Sequence, residues 1–185
     1  MNTYKWKKVM NHKVTGYVFA FLMPVLLYLI VMIGVGFYPF GDCTIVTWDM
    51  QGQYLAFLAY FRRILLGQEN FFFTQSMTLG GANVGLLAYY TLSPFNLILI
   101  FFQEEQLPIA LLIIIIMKIA FTGLSMYFFL NYNMKLYARA VDAFITVIFS
   151  TAYAFCGYMI NMQFNIMWLD GVILLPLVAY GIQRL

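Results

Sequence analysis

The segment from Leu107 to Leu130 constrains the fold of this chain more than any other. It is apolar throughout, apart from Lys118 and a few small or hydroxyl-bearing residues. It also exceeds the length of about 20 residues that a helix needs to cross a bilayer. The rest of the chain has a similar character, being 64% hydrophobic and only 9% charged, whereas soluble domains are roughly 25% charged. We therefore predict an all-α integral membrane protein, forming a single membrane domain over residues 1–185.

Further apolar segments indicate that this helix has companions. We expect about four transmembrane helices, near residues 17–37, 107–130, 143–162 and 168–183. The first is too long for the apolar part of a cleaved signal, and no small-residue cleavage pattern follows it. Residues 86–102 are also apolar, but Pro94 interrupts them and proline breaks a helix. We expect two short, partly immersed pieces there rather than a crossing.

The charged residues predict how these helices are oriented. With four spans, the basic residues fall on one side of the membrane: Lys5, Lys7, Lys8, Lys13, Lys135, Arg139 and Arg184. The acidic residues fall on the other side, with Asp142 as the exception: Asp42, Asp49, Glu69, Glu104, Glu105 and Asp170. Because cytoplasmic loops carry the excess of lysine and arginine, we predict a multi-pass protein of the cell membrane with a cytoplasmic N-terminus. Residues 38–106 are then a long first external loop.

An amphipathic helix is predicted within this loop, from Asp49 to Leu66. Its apolar face repeats with helical spacing at Tyr54, Leu58, Phe61 and Leu65. Its polar face is expected to carry Asp49, Gln53, Tyr60 and Arg63. Gly67 is a plausible C-terminal stop. A helix of this kind is expected to lie on the membrane surface rather than to cross it.

Asp49 is the first candidate for chemistry, because it begins this helix just outside the first span. A carboxylate there could act as a general base toward an incoming hydroxyl at the surface where lipid-linked substrates arrive. The alternative is a helix N-cap, in which the aspartate oxygen accepts a backbone N–H. The two roles are compatible.

Asp170 and Lys118 are the other two candidates. On the predicted topology Asp170 faces the same water layer as Asp49, so the two carboxylates could share acid–base or cation-binding work. The alternative for Asp170 is an interfacial acid that caps a helix beside Trp168. Lys118 lies near the middle of its span, too far from either end to reach water easily, so it needs an internal polar partner or a water-filled cavity. Its alternative role is a structural pair with a tyrosine hydroxyl or backbone carbonyls.

Other classes of site receive no support from the sequence. Cys43 and Cys156 fall in different contexts, so neither a disulfide framework nor a metal site is indicated. His12 is the single histidine and cannot anchor a metal site. The net charge of +3 gives no reason to expect nucleic acid as a partner.

Several short motifs occur together in a recognisable order. They are Gly41-Asp42, Trp48-Asp49 with Gln53-Tyr54, Gly80-Gly81, Tyr89-Tyr90, Ser93-Pro94-Phe95-Asn96, Gly157-Tyr158, Asn165-Ile166-Met167-Trp168-Leu169-Asp170 and Leu174-Leu175-Pro176-Leu177. From Gly16 onward the chain resembles the N-terminal part of the YfhO family of bacterial membrane proteins. That family is similar in turn to the GT-C glycosyltransferases, multi-span enzymes that use polyprenyl-phosphate-linked sugars.

This resemblance implies a site and a reaction. GT-C enzymes place an essential acid in the first external loop, which matches Asp49, and many carry a second in the next external turn, which matches Asp170. The implied reaction transfers a sugar from a polyprenyl-phosphate-linked donor to a surface polymer such as lipoteichoic acid. We expect Gln53, Tyr54, Arg63 and Lys118 to bind substrate. Arg62, Arg63 or a divalent metal would stabilise the phosphate.

Three further expectations concern the whole protein. Membrane lipids are expected partners alongside the lipid-linked sugar and its polymer acceptor. Because the GT-C-like enzymes have many more spans, we expect this chain to be the N-terminal part of a larger protein. The alternatives are a transporter or channel-like subunit, with Lys118 lining a path, or a non-catalytic remnant. Acids gathered on one face favour an enzyme over a transporter.

Overall fold

A computed structural model describes residues 13–76, 79–136 and 143–185, without the side chains of Lys13 and of residues 134–136. The predicted orientation depends largely on residues outside this part of the chain: Lys5, Lys7, Lys8, Arg139 and Asp142, together with the Lys13 and Lys135 side chains. His12 also lies outside it. The cytoplasmic N-terminus therefore stays a prediction.

The described residues are mostly helical. The α-helices are α1 (Lys13–Val35), α2 (Leu55–Leu65), α3 (Val84–Tyr90), α4 (Leu107–Leu136), α5 (Ala143–Ala154), α6 (Gly157–Asn161) and α7 (Ile166–Ile182). A π-helical turn (Met50–Tyr54) precedes α2, and 3₁₀ helices (Pro94–Phe101 and Glu104–Gln106) precede α4. Two short strands, β1 (Phe73–Thr74) and β2 (Gly81–Ala82), pair antiparallel. The all-α membrane fold predicted from the sequence is confirmed.

Three helical segments in the described residues are long and apolar enough to cross a membrane: Val14–Val35, Glu104–Asn133 and Ala143–Asn161. The third contains α5 and α6, which are separated by an extended residue, Cys156. Helix α3 and the 3₁₀ helix after it bend by 98° at the Pro94 break and make a fourth crossing only if they count as one span. The predicted division of this segment into two short pieces is confirmed. Helix α7 has 17 residues, about 25 Å of helix, so its crossing stays a prediction.

The chain divides into two compact units. One, the helical unit, consists of the described residues within Met1–Gly34, Ile116–Gln163 and Trp168–Leu185. The other, the loop unit, consists of those within Val35–Ile115 and Phe164–Met167. Each unit is held together by its own set of contacts.

In the helical unit, α1 packs closely against α4 and α5. Ala20, Tyr127 and Val147 form a buried cluster, one residue from each helix. A Cβ atom added at Gly123 would lie 2.6 Å from the Ala20 carbonyl oxygen and 3.7 Å from the Ala154 Cβ. Small residues are common where membrane helices approach this closely. Gly123 therefore marks a close approach of α4 to α1.

Helix α7 joins this unit through polar and aromatic contacts. The Tyr153 hydroxyl of α5 donates to the Val172 carbonyl at 2.9 Å. The Tyr180 ring packs edge-on against Phe128 and Tyr132 of α4, with centroids 4.9 Å and 4.6 Å apart. These contacts connect α7 to both α4 and α5.

In the loop unit, α2 is the central helix, packed against the π-helical turn, α3 and the 3₁₀ helix Pro94–Phe101. It ends as the sequence predicts. Gly67 has φ +72°, and the amides of Gly67 and Gln68 donate back to the Ile64 and Arg63 carbonyls at 2.9 Å and 2.8 Å. These two bonds form a Schellman motif, in which glycine avoids the steric cost of the left-handed conformation.

The predicted polar face of α2 is wrong at Tyr60. This side chain is buried, and its hydroxyl donates to the Asn70 carbonyl at 3.0 Å. The amphipathic pattern predicts that Tyr60 lies on the polar, exposed face of the helix. A hydroxyl with a backbone acceptor within reach allows the ring to be buried.

Two consecutive arginines of α2 hold a turn far along the chain, and we call this pair of contacts the arginine clamp. Arg62 Nε donates to the Phe102 carbonyl, and Arg63 Nη1 lies 2.9 Å from Glu104 Oε1. The clamp closes the segment that contains the β1–β2 hairpin and α3.

Candidate functional site

Asp49 begins the π-helical turn of the loop unit, immediately after a backbone outlier. Trp48 has φ +52° and is 89% exposed. A bulky residue in the left-handed region is rare and costs roughly 1–3 kcal/mol, and such strain occurs most often at functional sites. The Trp48 carbonyl accepts from the amides of Gln51 and Gly52, both at 3.1 Å. The turn therefore begins at Trp48 and fixes the position of the next residue, Asp49.

The Asp49 side chain is exposed and makes no capping hydrogen bond, although the residue occupies the N-cap position. The capping interpretation of the sequence is therefore wrong for the side chain. Asp49 has helical backbone angles (φ −60°, ψ −27°), whereas a capping aspartate usually has extended ones. The helix begins with a π-helical turn, and the carboxylate stays available to solvent.

Tyr54 lies at the end of the same turn and is buried. Its hydroxyl donates to Asn165 Oδ1 at 2.8 Å, and its ring centroid lies 5.7 Å from that of Tyr90. Tyr90 also contacts Phe57 at 4.8 Å and Tyr89 at 4.6 Å. We call Tyr54, Phe57, Tyr89 and Tyr90 the aromatic cluster. Tyr89 is 53% exposed, so the cluster presents one ring to solvent.

Electrostatics connect Asp49 to this cluster. Burial raises the pKa of the Tyr54 phenol, and the nearby Asp49 carboxylate raises it further, followed by Tyr90 and Tyr89. Both causes disfavour the phenolate anion. Tyr54 therefore stays a neutral hydrogen-bond donor, and the carboxylate and the aromatic rings belong to one local environment.

The other residues predicted to bind substrate in the loop unit are Gln53 and Arg63. Gln53 is exposed, within the π-helical turn. Arg63 pairs with Glu104 at 2.9 Å and with Glu69 at 3.9 Å, and about a third of its side chain is exposed. Their contact with substrate stays a prediction.

Lys118 and Asp170 meet within the helical unit. Lys118 Nζ donates to Asp170 Oδ1 at 2.7 Å. The lysine side chain is fully buried, and 26% of the aspartate side chain is exposed. The prediction that Lys118 has an internal polar partner is confirmed. Its substrate contact and the catalytic role of Asp170 stay predictions, as does a shared site of Asp49 and Asp170, which belong to different units.

A divalent metal finds no ready set of ligands in the described ranges. Groups of three or more His, Cys, Asp or Glu side chains that could hold a metal ion do not occur there.

Sequence reasoning missed three residues of this environment: Tyr89, Tyr90 and Asn165. They appear in the motifs that carry the family resemblance, and that position was their only signal. The contact between Tyr54 and Asn165 joins residues 111 positions apart, which helical periodicity cannot reveal.

Comparison with known proteins assigns the chain to a family. No curated protein and no solved structure matches it. The family model described as "Bacterial membrane protein YfhO" matches residues 20–185, and this range includes the whole loop unit, most of the helical unit and every candidate residue named above. The chain belongs to the YfhO family of bacterial membrane proteins.

Proposed function

We propose that this protein is a membrane glycosyltransferase that moves a sugar from a polyprenyl-phosphate-linked donor to a cell-surface polymer such as lipoteichoic acid. The observation that carries the proposal is the Asp49 carboxylate, exposed and free of a capping hydrogen bond beside an aromatic cluster. Membership of the YfhO family and the acid in the first loop of the similar GT-C enzymes support it.

Asp49 acts as the general base. An acceptor hydroxyl attacks the anomeric carbon of the donor, and a new C–O bond forms as the bond from that carbon to the phosphate oxygen breaks. The electron pair of the broken bond leaves with the polyprenyl phosphate. The acceptor proton passes to the Asp49 carboxylate and then to water. A general base held in position accelerates such a reaction by a factor of about 10²–10⁴.

The aromatic cluster holds the sugar ring. An aromatic face carries negative charge density, so it attracts the polarised C–H groups of a pyranose. Tyr89 offers the exposed ring, and Tyr54, neutral and bonded to Asn165, fixes the inner side of the cluster. Gln53, exposed in the same turn as Asp49, bonds a sugar hydroxyl in this proposal.

The leaving phosphate needs positive charge, and Arg62 and Arg63 are the only basic residues in the loop unit's sequence. Arg63 is paired with two partly exposed carboxylates. Exposed pairs of this kind contribute only about 0–1 kcal/mol, so a phosphate can replace Glu104 or Glu69 at low cost. Asp170 acts as a supporting acid, by the same resemblance to GT-C enzymes.

The test compares Asp49→Asn with Asp42→Asn in the intact membrane protein. Asp42 is a second exposed aspartate of the loop unit, in the turn after α1. Transfer is measured from radiolabelled polyprenyl-phosphate hexoses to the surface polymer. We expect Asp49→Asn to lower the rate of sugar transfer by a factor of about 10²–10⁴. Asp42→Asn should keep the wild-type rate. Because Asp49 makes no capping bond, its variant should fold normally, and transfer at the wild-type rate would refute the proposal.

A further inference from the structure

The two side chains of the Lys118–Asp170 ion pair differ in their exposure. The lysine side chain is 0% exposed and the aspartate side chain 26% exposed, with 2.7 Å between Nζ and Oδ1. A buried pair that only joined two helices would need neither charge to be accessible. Here the cation is enclosed, and about a quarter of the aspartate side chain is exposed.

The helix around Lys118 is buried and satisfies its own hydroxyl groups. Thr122 Oγ1 donates to the Lys118 carbonyl at 2.7 Å, and Ser125 Oγ donates to the Thr122 carbonyl at 3.0 Å. These hydroxyls are satisfied by their own helix. Ile119, the next residue along α4, is also buried. An ammonium surrounded in this way is costly to leave unpaired, so it fixes the rotamer of the carboxylate that neutralises it.

We propose that Lys118 is a positioning residue for Asp170. It binds Oδ1 from the buried side and so directs the remaining edge of the carboxylate outward, where that edge accepts a hydrogen bond from a hydroxyl-bearing ligand. This inference rests on the proposed function, in which Asp170 is a supporting acid. It gives Lys118 a role through Asp170 rather than through direct contact with the substrate.

The first experiment tests the geometry without any assay of transfer. In a background with Cys43→Ser and Cys156→Ser, single variants Asp170→Cys and Lys118→Cys are exposed to a membrane-impermeant methanethiosulfonate. We expect Cys at 170 to react and Cys at 118 to remain unmodified until the protein is denatured. An unreactive Cys at 170 would place the open edge against lipid and overturn the inference.

The second experiment separates positioning from a purely structural role. Lys118→Met keeps the approximate volume of the side chain but removes its charge, and Lys118→Arg keeps the charge. The double variant Lys118→Asp with Asp170→Lys keeps the ion pair but places the carboxylate at the enclosed position. We expect Lys118→Met to lower the turnover of hexose transfer by about 10²-fold, as for a misplaced group, with little change in KM. Lys118→Arg should retain most of the turnover.

The double variant is decisive, because it restores the ion pair but not the open carboxylate. We expect it to recover the thermal stability that Lys118→Met loses, and to transfer no faster than Asp170→Asn. Recovery of transfer would show that the pair only joins helices and would overturn the inference, as would wild-type transfer by Lys118→Met. If the wild type transfers none of the hexoses, the proposed function fails, and the cysteine labelling still decides where the carboxylate points.

Discussion

The close contact of α4 with α1 at Gly123 leads to a stability prediction that separates packing from helix propensity. Gly123→Ala adds a Cβ atom 2.6 Å from the Ala20 carbonyl oxygen and 2.9 Å from the Pro24 Cγ. Both neighbours belong to α1, and one is backbone, so α1 must move. Gly171→Ala is the matched control, because Gly171 also lies in a helix of this unit and its added Cβ meets nothing within 4 Å.

The magnitudes follow from these two environments. Replacing glycine by alanine within a helix gains about 0.5–1 kcal/mol from backbone entropy, and both variants receive this gain. Overpacking costs typically about 1–3 kcal/mol, and only Gly123→Ala incurs it. We expect Gly171→Ala to be more stable than the wild type, and Gly123→Ala to be less stable than Gly171→Ala by about 1–3 kcal/mol.

The assay is reversible unfolding of the purified protein in mixed micelles, followed by circular dichroism, with each variant compared at the same detergent composition. The reasoning is refuted if Gly123→Ala is as stable as Gly171→Ala. That result would mean that α1 and α4 do not approach at Gly123.

Four other substitutions have expected outcomes. Gly67→Ala should cost about 1 kcal/mol because of the left-handed φ, whereas Gly85→Ala, in open space within α3, should be stabilising in the same unfolding assay. Tyr54→Phe removes the hydrogen bond to Asn165 and should lower the unfolding free energy by about 0.5–1.5 kcal/mol. An unchanged unfolding free energy would show that this hydrogen bond does not stabilise the fold. Asp49→Asn should lower the pKa of Tyr54, measured by NMR of ¹³C-labelled tyrosine, but leave it above the usual value of about 10, because burial is the larger cause. In the wild type the pKa of Tyr54 is higher in the folded state than in the unfolded state. The contribution of Tyr54 to the unfolding free energy is therefore complete below pH about 10 and is lost as the pH rises through the folded-state pKa. A steeper loss of unfolding free energy with pH in Tyr54→Phe than in the wild type would contradict this.

Features that depend on neighbouring residues in the sequence were predicted correctly. Gly67 ends α2 because a left-handed residue is needed there, and Pro94 divides its segment because it lacks an N–H and follows an extended residue. Lys118 needs an internal partner because of its depth within a long apolar helix. Each of these conclusions requires only the local chain and a physical cost.

Features that depend on distant residues could not be predicted. The sequence requires a polar partner for Lys118 but does not identify Asp170, which lies 52 positions away. The aromatic cluster is formed by rings from the π-helical turn, α2 and α3, of which those of α3 lie more than 30 positions after the others, and the contact of Tyr54 with Asn165 joins residues 111 positions apart. The left-handed Trp48 and the π-helical turn had no signal, because tryptophan is not a residue from which a positive φ is expected.

The arginine clamp has a consequence for how the loop unit can vary. Because Arg62 and Arg63 hold the turn at Phe102 and Glu104, the segment between them is tethered at both ends. Closing such a segment costs only about 0.6 kcal/mol more for each doubling of its length. Insertions near the hairpin tip should therefore leave the base of the unit in place. The hairpin tip is thus a suitable position for an epitope or a fluorophore that reports which side of the membrane this loop occupies.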